Sequence, residues 1–181
     1  MKNRIKARRY AEALYDAAVE RGHEDLIERE LMAIRQAFSE PSDIVQFLQD
    51  PKQWMHRARI IKSTFMTFSS EVVKILLIMV EHHAEVDVPH MVDHYLYLLN
   101  EQRGIGVGKV LTVKALSPAE LTEIETHFAE KFGYKELTLA NVIDEDVLGG
   151  FKIVINQRVY DASVKKKLKT MRQNFVPLYK R

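Results

Sequence analysis

Four histidines lie within thirteen positions near the middle of the chain, and imidazole is a common zinc ligand. They are His82, His83, His90 and His94. His90 and His94 are four residues apart, a spacing that can chelate zinc from one face of a helix. However, the HExxH pattern of zinc proteases is absent, and adjacent histidines point to different sides of a helix. We therefore expect a polar helix surface and no metal site. A small metal-dependent hydrolase stays open and would need stoichiometric zinc.

A glycine pair, Gly149-Gly150, could in principle cradle a phosphate group. Phosphate loops follow a strand and open a helix, whereas this pair precedes an apolar run at residues 151–155. Neither GxGxxG nor GxxxxGK[ST] occurs in the chain. The pair is therefore predicted to be structural, permitting a bulge or a positive φ before a strand. No nucleotide cofactor is expected.

The groups needed for nucleophilic catalysis are also missing. The chain has no cysteine, which excludes disulfides, thiolate zinc sites and cysteine nucleophiles. No GxSxG motif occurs, and the paired acids Glu145 and Asp146 fall in a loop of ordinary polarity. We therefore predict no catalytic residue.

A basic cluster near the end of the chain is the strongest charge feature. It consists of Lys165, Lys166, Lys167, Lys169 and Arg172. Aromatic side chains for base stacking are few there, and the net charge is only +2. A solvated helix face is the favoured interpretation, and an acidic protein partner comes next. An RNA-binding or transcription-regulating helical adaptor is the alternative, and it would lose RNA affinity steeply with salt.

The 181-residue composition, 46% hydrophobic and 29% charged with 7 Gly and 5 Pro, is typical of a folded, helix-rich protein. No apolar h-region follows the basic N-terminus, so no signal peptide is predicted. The longest uncharged apolar run, residues 75–80, is too short to span a bilayer, so no direct membrane insertion is expected.

The first hundred residues are predicted to form helices because apolar residues recur at spacings of three and four. Tyr10, Ala13, Leu14 and Ala17 share one face, whose alanines allow another helix to approach closely. Gly22 ends this helix. The next three faces are Ile27, Leu31, Ile34 and Phe38; Ile44, Val45, Phe47 and Leu48 after a Ser42 cap; and Ala58, Ile61 and Phe65 in a helix from about Trp54 to Phe68.

The fifth helix differs, because every residue from 72 to 80 except Lys74 is apolar, as expected in the middle of a bundle. The sixth runs from about Asp87 to Gly104. Its face is Met91, Val92, Tyr95, Leu98 and Leu99. Six such helices with short connections predict an all-α bundle over residues 1–105. The first and fifth helices could also form a groove for an amphipathic helix of another chain.

The apolar period falls from about 3.6 to 2 after three glycines at positions 104–108, which predict a flexible joint. Strands are predicted over residues 109–116, 137–142, 151–155 and 158–161. Ser117-Pro118 and Glu120 form a complete helix start, and that helix should bury Leu121, Ile124 and Phe128 and end at Gly133. The last helix presents Val164, Leu168, Met171 and Phe175. The predicted fold is therefore mainly α, with a smaller α+β domain over residues 106–181.

Three stretches resemble the delta subunit of bacterial F-type ATP synthase, the equivalent of the mitochondrial oligomycin-sensitivity-conferring protein. Residues 7–15 are similar to the family's R-x-Y-A-x-A-L opening, and residues 97–105 to its N-E-x-R-G helix end. Residues 146–168 resemble its G-G-F … V-x-D-x-S-V-x-x-x-L signature, although Ala162 stands where glycine is common. The resemblance covers essentially the whole chain. The signature residues with structural roles are Gly149, Gly150, Phe151, Asp161 and Ser163.

This resemblance implies a non-catalytic stator subunit that clamps the alpha/beta head to the peripheral stalk, so that proton-driven rotation is coupled to ATP synthesis. The N-terminal domain would receive the alpha-subunit N-terminal helix between its first and fifth helices. The implied contact residues are Tyr10, Ala13, Leu14, Ala17, Val73, Leu76, Leu77 and Val80. The C-terminal domain would bind the b subunits. One copy per complex, no nucleic acid and a peripheral place on the cytoplasmic face of the bacterial cell membrane are also implied.

Overall fold

The computed structural model describes residues 2–38, 43–50, 56–156 and 158–175. Ser42, Trp54 and Gln157 lie outside the described residues, as do Pro41 and residues 176–181. The described part is mainly helical, with one small four-stranded sheet. The chain divides into two compact units, Met1–Leu99 and Asn100–Arg181. No helix within the described residues is both long and apolar enough to cross a membrane.

The first unit is built from helices whose apolar faces meet in one core. The helices are α1 (Lys2–Arg21), α2 (Glu24–Ala37), α3 (Asp43–Gln49), α4 (Arg57–Thr64), α5 (Ser70–Glu81) and α6 (Val88–Arg103), with a short 3-10 helix at Glu85–Asp87 before α6. The predicted α2 face, Ile27, Leu31, Ile34 and Phe38, is fully buried. The apolar helix α5 packs against α1, α2 and α4, which confirms its predicted central place.

The buried stripe of α1 differs from the predicted face. Ala7, Ala11, Leu14 and Ala18 are buried, at successive spacings of four, three and four. Such a stripe follows one side of a helix with 3.6 residues per turn. Of the predicted face only Leu14 belongs to it. Alanines therefore do allow a close approach to α1, but mainly at other positions than predicted.

Helix α4 is shorter than predicted, and its predicted face is buried at Ile61 and Phe65 but not at Ala58. It ends at Thr64, and Phe65 through Phe68 form a turn in which Phe68 N donates to the Phe65 carbonyl. Ala58, expected in register with Ile61, is exposed, whereas Arg57 is buried. The two terminal nitrogens of the Arg57 guanidinium contact the Asp50 carbonyl and the His83 ring, whereas its Nε has no hydrogen-bond partner among the described residues. A buried charge needs such partners, which the α4 sequence alone does not reveal.

The second unit is a mixed sheet with a helix across it. Its elements are β1 (Ile105–Thr112), α7 (Pro118–Phe132), β2 (Glu136–Ile143), β3 (Phe151–Ile155), β4 (Arg158–Asp161) and α8 (Val164–Phe175). The strand order is β2-β1-β3-β4. Strands β1 and β2 are parallel and connected through α7, while β3 pairs antiparallel with both β1 and β4. The predicted hairpin bounds of β3 and β4 are confirmed.

The predicted flexible joint is wrong, because β1 begins at Ile105 and contains two of the three glycines. Gly106 pairs with Leu137, and Gly108 pairs with Ile155. A Cβ at Gly106 would come within 2.8 Å of side-chain atoms of Tyr134 and Leu137. The glycines therefore serve close packing inside the sheet. The strand also ends at Thr112, earlier than predicted, and the Leu116 N–H donates to the Asn141 side chain instead.

Helix α7 starts and stops as the sequence predicts. The Ser117 hydroxyl accepts from the Glu120 backbone N–H, and the Glu120 carboxylate accepts from the Ser117 N–H, which is a capping box. Gly133 ends the helix in the left-handed conformation. Phe128 is buried, and Leu121 and Ile124 pack against the same core while half-buried.

Helix α8 does not bury its predicted apolar face. Val164, Leu168 and Met171 are all exposed, and the side chain of Phe175 lies outside the described set. The 3.6-residue spacing predicted the helix correctly. It could not tell whether the apolar side packs within this chain.

Candidate binding surfaces

The eight residues predicted to contact another helix fall into two groups in the structure. Three of them belong to the core of the first unit: Leu14, Leu76 and Val80. The other five reach the surface of α1 and α5. They are Tyr10, Ala17, Val73 and Leu77, which are half-buried, and Ala13, which is exposed. We call these five side chains the α1–α5 surface.

The two helices that carry this surface are in contact. Arg21 at the end of α1 donates to Glu71 at the start of α5, with 2.6 Å between Nη1 and Oε1. Glu71 is buried, and burial alone would raise its pKa. Hydrogen bonds from its own backbone N–H and from Ser70, together with the Arg21 charge, outweigh burial and lower the pKa. The carboxylate therefore stays charged and ties the two helices together.

The α1–α5 surface is suited to an apolar partner. Tyr10, Val73 and Leu77 each pack partly on the core and present the rest of their side chain outward. The two alanines leave little side chain above the α1 backbone, so a partner helix can approach closely. None of these five side chains carries charge, so the surface can bury apolar area without desolvating an ion.

The four histidines do not form a metal centre in the structure. No group of three or more His, Cys, Asp or Glu side chains within the described residues is arranged to hold a metal ion. His83 contacts Arg57 with 3.0 Å between Nδ1 and Nη1. His94 stacks on Tyr97 and lies 3.8 Å from the Glu12 carboxylate. Burial lowers the pKa of His94, and the positive charge of Arg8 lowers it further.

The glycine pair of the signature lies where the start of α8 contacts the loop before β3. Both glycines have positive φ, 138° at Gly149 and 76° at Gly150. The Gly149 carbonyl accepts from Val164 N at 3.0 Å, and the Phe151 carbonyl accepts from Ala162 N at 3.0 Å. A Cβ at Gly150 would lie 2.6 Å from the Ala162 carbonyl oxygen. Glycine at position 150 is therefore required both by φ and by space.

The signature acid and hydroxyl complete the same joint. The Asp161 carboxylate accepts from the Ser163 backbone N–H at 2.9 Å. The buried Ser163 hydroxyl accepts from Lys166 N at 3.2 Å, as an N-cap does. The signature therefore connects β3, β4 and α8, which explains why its two halves are separated by residues 152–158 of the hairpin.

A further residue of this unit was not predicted to have a role. Glu101, in the stretch similar to N-E-x-R-G, accepts from the Tyr134 hydroxyl and from the Asn156 amide, each at 3.3 Å. Asn156 is the hairpin-turn residue with φ of 56°. The carboxylate thus joins the last turn of α6, which lies within the second unit, to the β3–β4 turn. Only the position of Glu101 within the resembling stretch could have suggested this.

Comparison with known proteins identifies the family. The family model described as ATP synthase delta (OSCP) subunit matches residues 7–175. The chain belongs to the ATP synthase delta (OSCP) family. It is 32% identical over 177 residues to ATP synthase subunit delta of Geobacillus sp. (strain WCH70), covering 97% of this chain and 99% of the relative. It is also 32% identical over 171 residues to ATP synthase subunit delta of Priestia megaterium, covering 94% of each.

The fold is shared with one chain of a solved complex. A chain in the structure of the Toxoplasma gondii mitochondrial ATP synthase hexamer matches with a TM-score of 0.76 at 15% identity, covering 94% of this chain and 97% of that one. As a member of the delta (OSCP) family, the chain is a stator subunit of F-type ATP synthase and is part of that complex. It is a structural, non-catalytic subunit.

We predict that the delta-family signature makes the second unit acid-sensitive. Hydrogen bonds from the Ser163 side chain and backbone lower the pKa of Asp161 below its ordinary value of about 3.9. The ionised carboxylate therefore stabilises the fold above about pH 4, and this contribution is lost as the pH falls through the folded-state pKa. Asp161→Asn should remove this part of the pH dependence and cost about 1 kcal/mol at neutral pH.

Hydrogen exchange of the β3 and β4 amides between about pH 2 and 6 measures this stability. Ser163→Ala removes the hydroxyl that helps to lower the Asp161 pKa and that caps α8. It should therefore also reduce the change in stability between neutral and acid pH. If Asp161→Asn lost as much stability at acid pH as the wild-type chain does, this carboxylate would not set the pH dependence.

Proposed function

We propose that this chain clamps the alpha/beta head of the ATP synthase to its peripheral stalk. The first unit, Met1–Leu99 where the sequence predicts residues 1–105, is the head-binding part, a six-helix bundle that receives the N-terminal helix of an alpha subunit on the α1–α5 surface. The proposal rests on one observation. Helices α1 and α5 are in contact, and together they present five uncharged side chains that are partly or fully exposed.

A helix on this surface has the affinity that a clamp requires. Nanomolar dissociation corresponds to about 12 kcal/mol. An amphipathic helix that buries on the order of 600 Å² of apolar surface gains roughly 15 kcal/mol before ordering costs, at ~25 cal/mol/Å². Exposed ion pairs contribute only about 0–1 kcal/mol each. Apolar burial is therefore the interaction of sufficient magnitude.

The second unit, Asn100–Arg181 where the sequence predicts residues 106–181, binds the b subunits of the stalk. One copy per complex then connects head and stalk on the cytoplasmic face of the bacterial cell membrane. With the head held still, rotation driven by protons is coupled to ATP synthesis. The chain therefore acts by binding tightly and by resisting movement, and its own residues need not make or break covalent bonds.

Calorimetric titration of the intact chain with a peptide of the alpha-subunit N-terminus from the same organism tests the head contact. We expect tight binding that changes little between low and high salt, with a negative heat-capacity change from apolar burial. Absence of binding by a folded sample, or binding that weakens steeply with salt, would contradict an apolar helix contact.

A further inference from the structure

Helix α8 is amphipathic, yet its described side chains are not packed within the chain. Every side chain from Val164 to Met171 is exposed. Val164, Leu168 and Met171 are 44%, 60% and 55% exposed and follow one side of the helix at spacings of four and three. We call these three side chains the α8 stripe. A helix of 12 residues is marginal in water without tertiary packing, so a covered stripe would stabilise it.

A fourth apolar side chain stands beside the start of this helix. Leu148 is 70% exposed and has φ of 57°, a conformation that is unfavourable for a residue with a Cβ. It directly precedes Gly149, whose carbonyl accepts from Val164 N. The joint built by the signature therefore places Leu148 next to the first turn of α8. Leu148 therefore adds exposed apolar area near the start of the helix.

Lysines border the stripe, and the helix contains no acid. At 100° per residue, Lys165 and Lys167 lie on the two sides of the stripe, and Lys166 lies on the far side. The α8 sequence, VKKKLKTMRQNF, has no Asp or Glu that could neutralise these charges. A partner that covers the stripe must therefore tolerate or match a positive border. Charge complementarity favours acidic side chains beside its own apolar contacts.

We propose that the α8 stripe is the docking site for an amphipathic helix with acidic flanks from the b-subunit stalk. This inference rests on the proposed function of the second unit. The partner's apolar side chains cover Leu148, Leu168 and Met171, and its acids pair with Lys165 and Lys167. The signature joint fixes the position of α8 against the sheet, so that force on the stripe is transmitted to the strands.

Two matched pairs of variants test the inference in the intact chain. Leu168→Glu places a charge in the stripe, and Thr170→Glu adds the same charge away from it. Lys167→Glu reverses a bordering charge, and Lys166→Glu reverses one on the far side. All four side chains are exposed, so the fold should be retained, which thermal unfolding checks. The probe is the soluble region of the b subunits of the same ATP synthase, titrated at low and high salt.

We expect Leu168→Glu to weaken b binding about tenfold or more, and Thr170→Glu to change it less than about twofold. Lys167→Glu should weaken it about threefold at low salt and less at high salt, while Lys166→Glu should have little effect. If the wild-type chain binds b and Leu168→Glu binds equally well, the inference is overturned and the proposed function stands. If the wild-type chain does not bind b, the stalk role itself fails.

Other occupants of the stripe give different results. Sedimentation of the wild-type chain would reveal self-association that Leu168→Glu abolishes, which would assign the stripe to a second copy. Phosphatidylglycerol vesicles or RNA retained by the wild-type chain and lost by Leu168→Glu would assign it to a membrane or nucleic acid. Each of these results, combined with b binding that Leu168→Glu leaves unchanged, overturns the inference.

Discussion

Adjacent substitutions on α5 should have different effects, with Leu76→Glu unfolding the first unit and Leu77→Glu leaving it folded but weakening its contact with the head. Leu76 is 0% exposed. A glutamate there loses the burial of a leucine and places a carboxylate among apolar side chains. We expect a loss of about 5 kcal/mol or more, which is comparable to the whole stability of a typical domain.

Leu77 is half-buried, so a glutamate at this position can turn its carboxylate to water. The fold should survive, while the alpha-subunit peptide would meet a charge in the middle of the α1–α5 surface. We expect its affinity to fall by about 2 kcal/mol, or about thirtyfold. Circular dichroism separates the two variants by folding, and calorimetry with the peptide measures the affinity.

Ile78→Glu is the matched control, because Ile78 is the next residue, is 41% exposed and lies outside the α1–α5 surface. It should leave both folding and peptide binding close to those of the wild-type chain. Wild-type peptide affinity in a folded Leu77→Glu sample would rule out this part of α5 as the head contact.

The two leucines also mark the limit of what the sequence could predict. Helix α5 is apolar on nearly every side, so its periodicity did not distinguish core from partner surface. The same holds for α1, where the alanines at positions 7, 11, 13, 17 and 18 do not by themselves indicate which side of the helix is buried. The structure decides by the orientation of each helix against its neighbours, which puts Ala11 in the core and Ala13 outside.

Local rules predicted other features residue by residue. The capping box at Ser117, the left-handed stop at Gly133 and the bounds of the β3–β4 hairpin depend on hydrogen bonds within a few residues. Packing against distant segments was not predictable in this way. The exposure of the α8 stripe depends on what the rest of the chain leaves uncovered. The need for glycine at two positions of β1 comes from residues that lie some 30 to 50 positions later in the sequence.

Gly108→Ala should strongly destabilise the second unit, although alanine fits the backbone angles of a strand. A Cβ at this position would lie 2.5 Å from the Val154 carbonyl oxygen and 2.8 Å from a side-chain atom of Ile155. Relief requires β1 and β3 to move apart where Gly108 pairs with Ile155. Overpacking of this kind costs about 3 kcal/mol, because backbone atoms of a paired strand cannot simply rotate away.

Gly133→Ala separates this steric effect from the general cost of replacing a glycine. Gly133 has φ of 78°, but a Cβ there has nothing within 4 Å. Its cost is therefore conformational, about 1 kcal/mol. Amide hydrogen exchange in β1 and β3 should accelerate on the order of a hundredfold in Gly108→Ala and about fivefold in Gly133→Ala, with the amides of α2 and α5 unchanged in both. Equal acceleration in the two variants would mean that the strands accommodate a methyl group, and the glycines of β1 would then need another explanation than close packing.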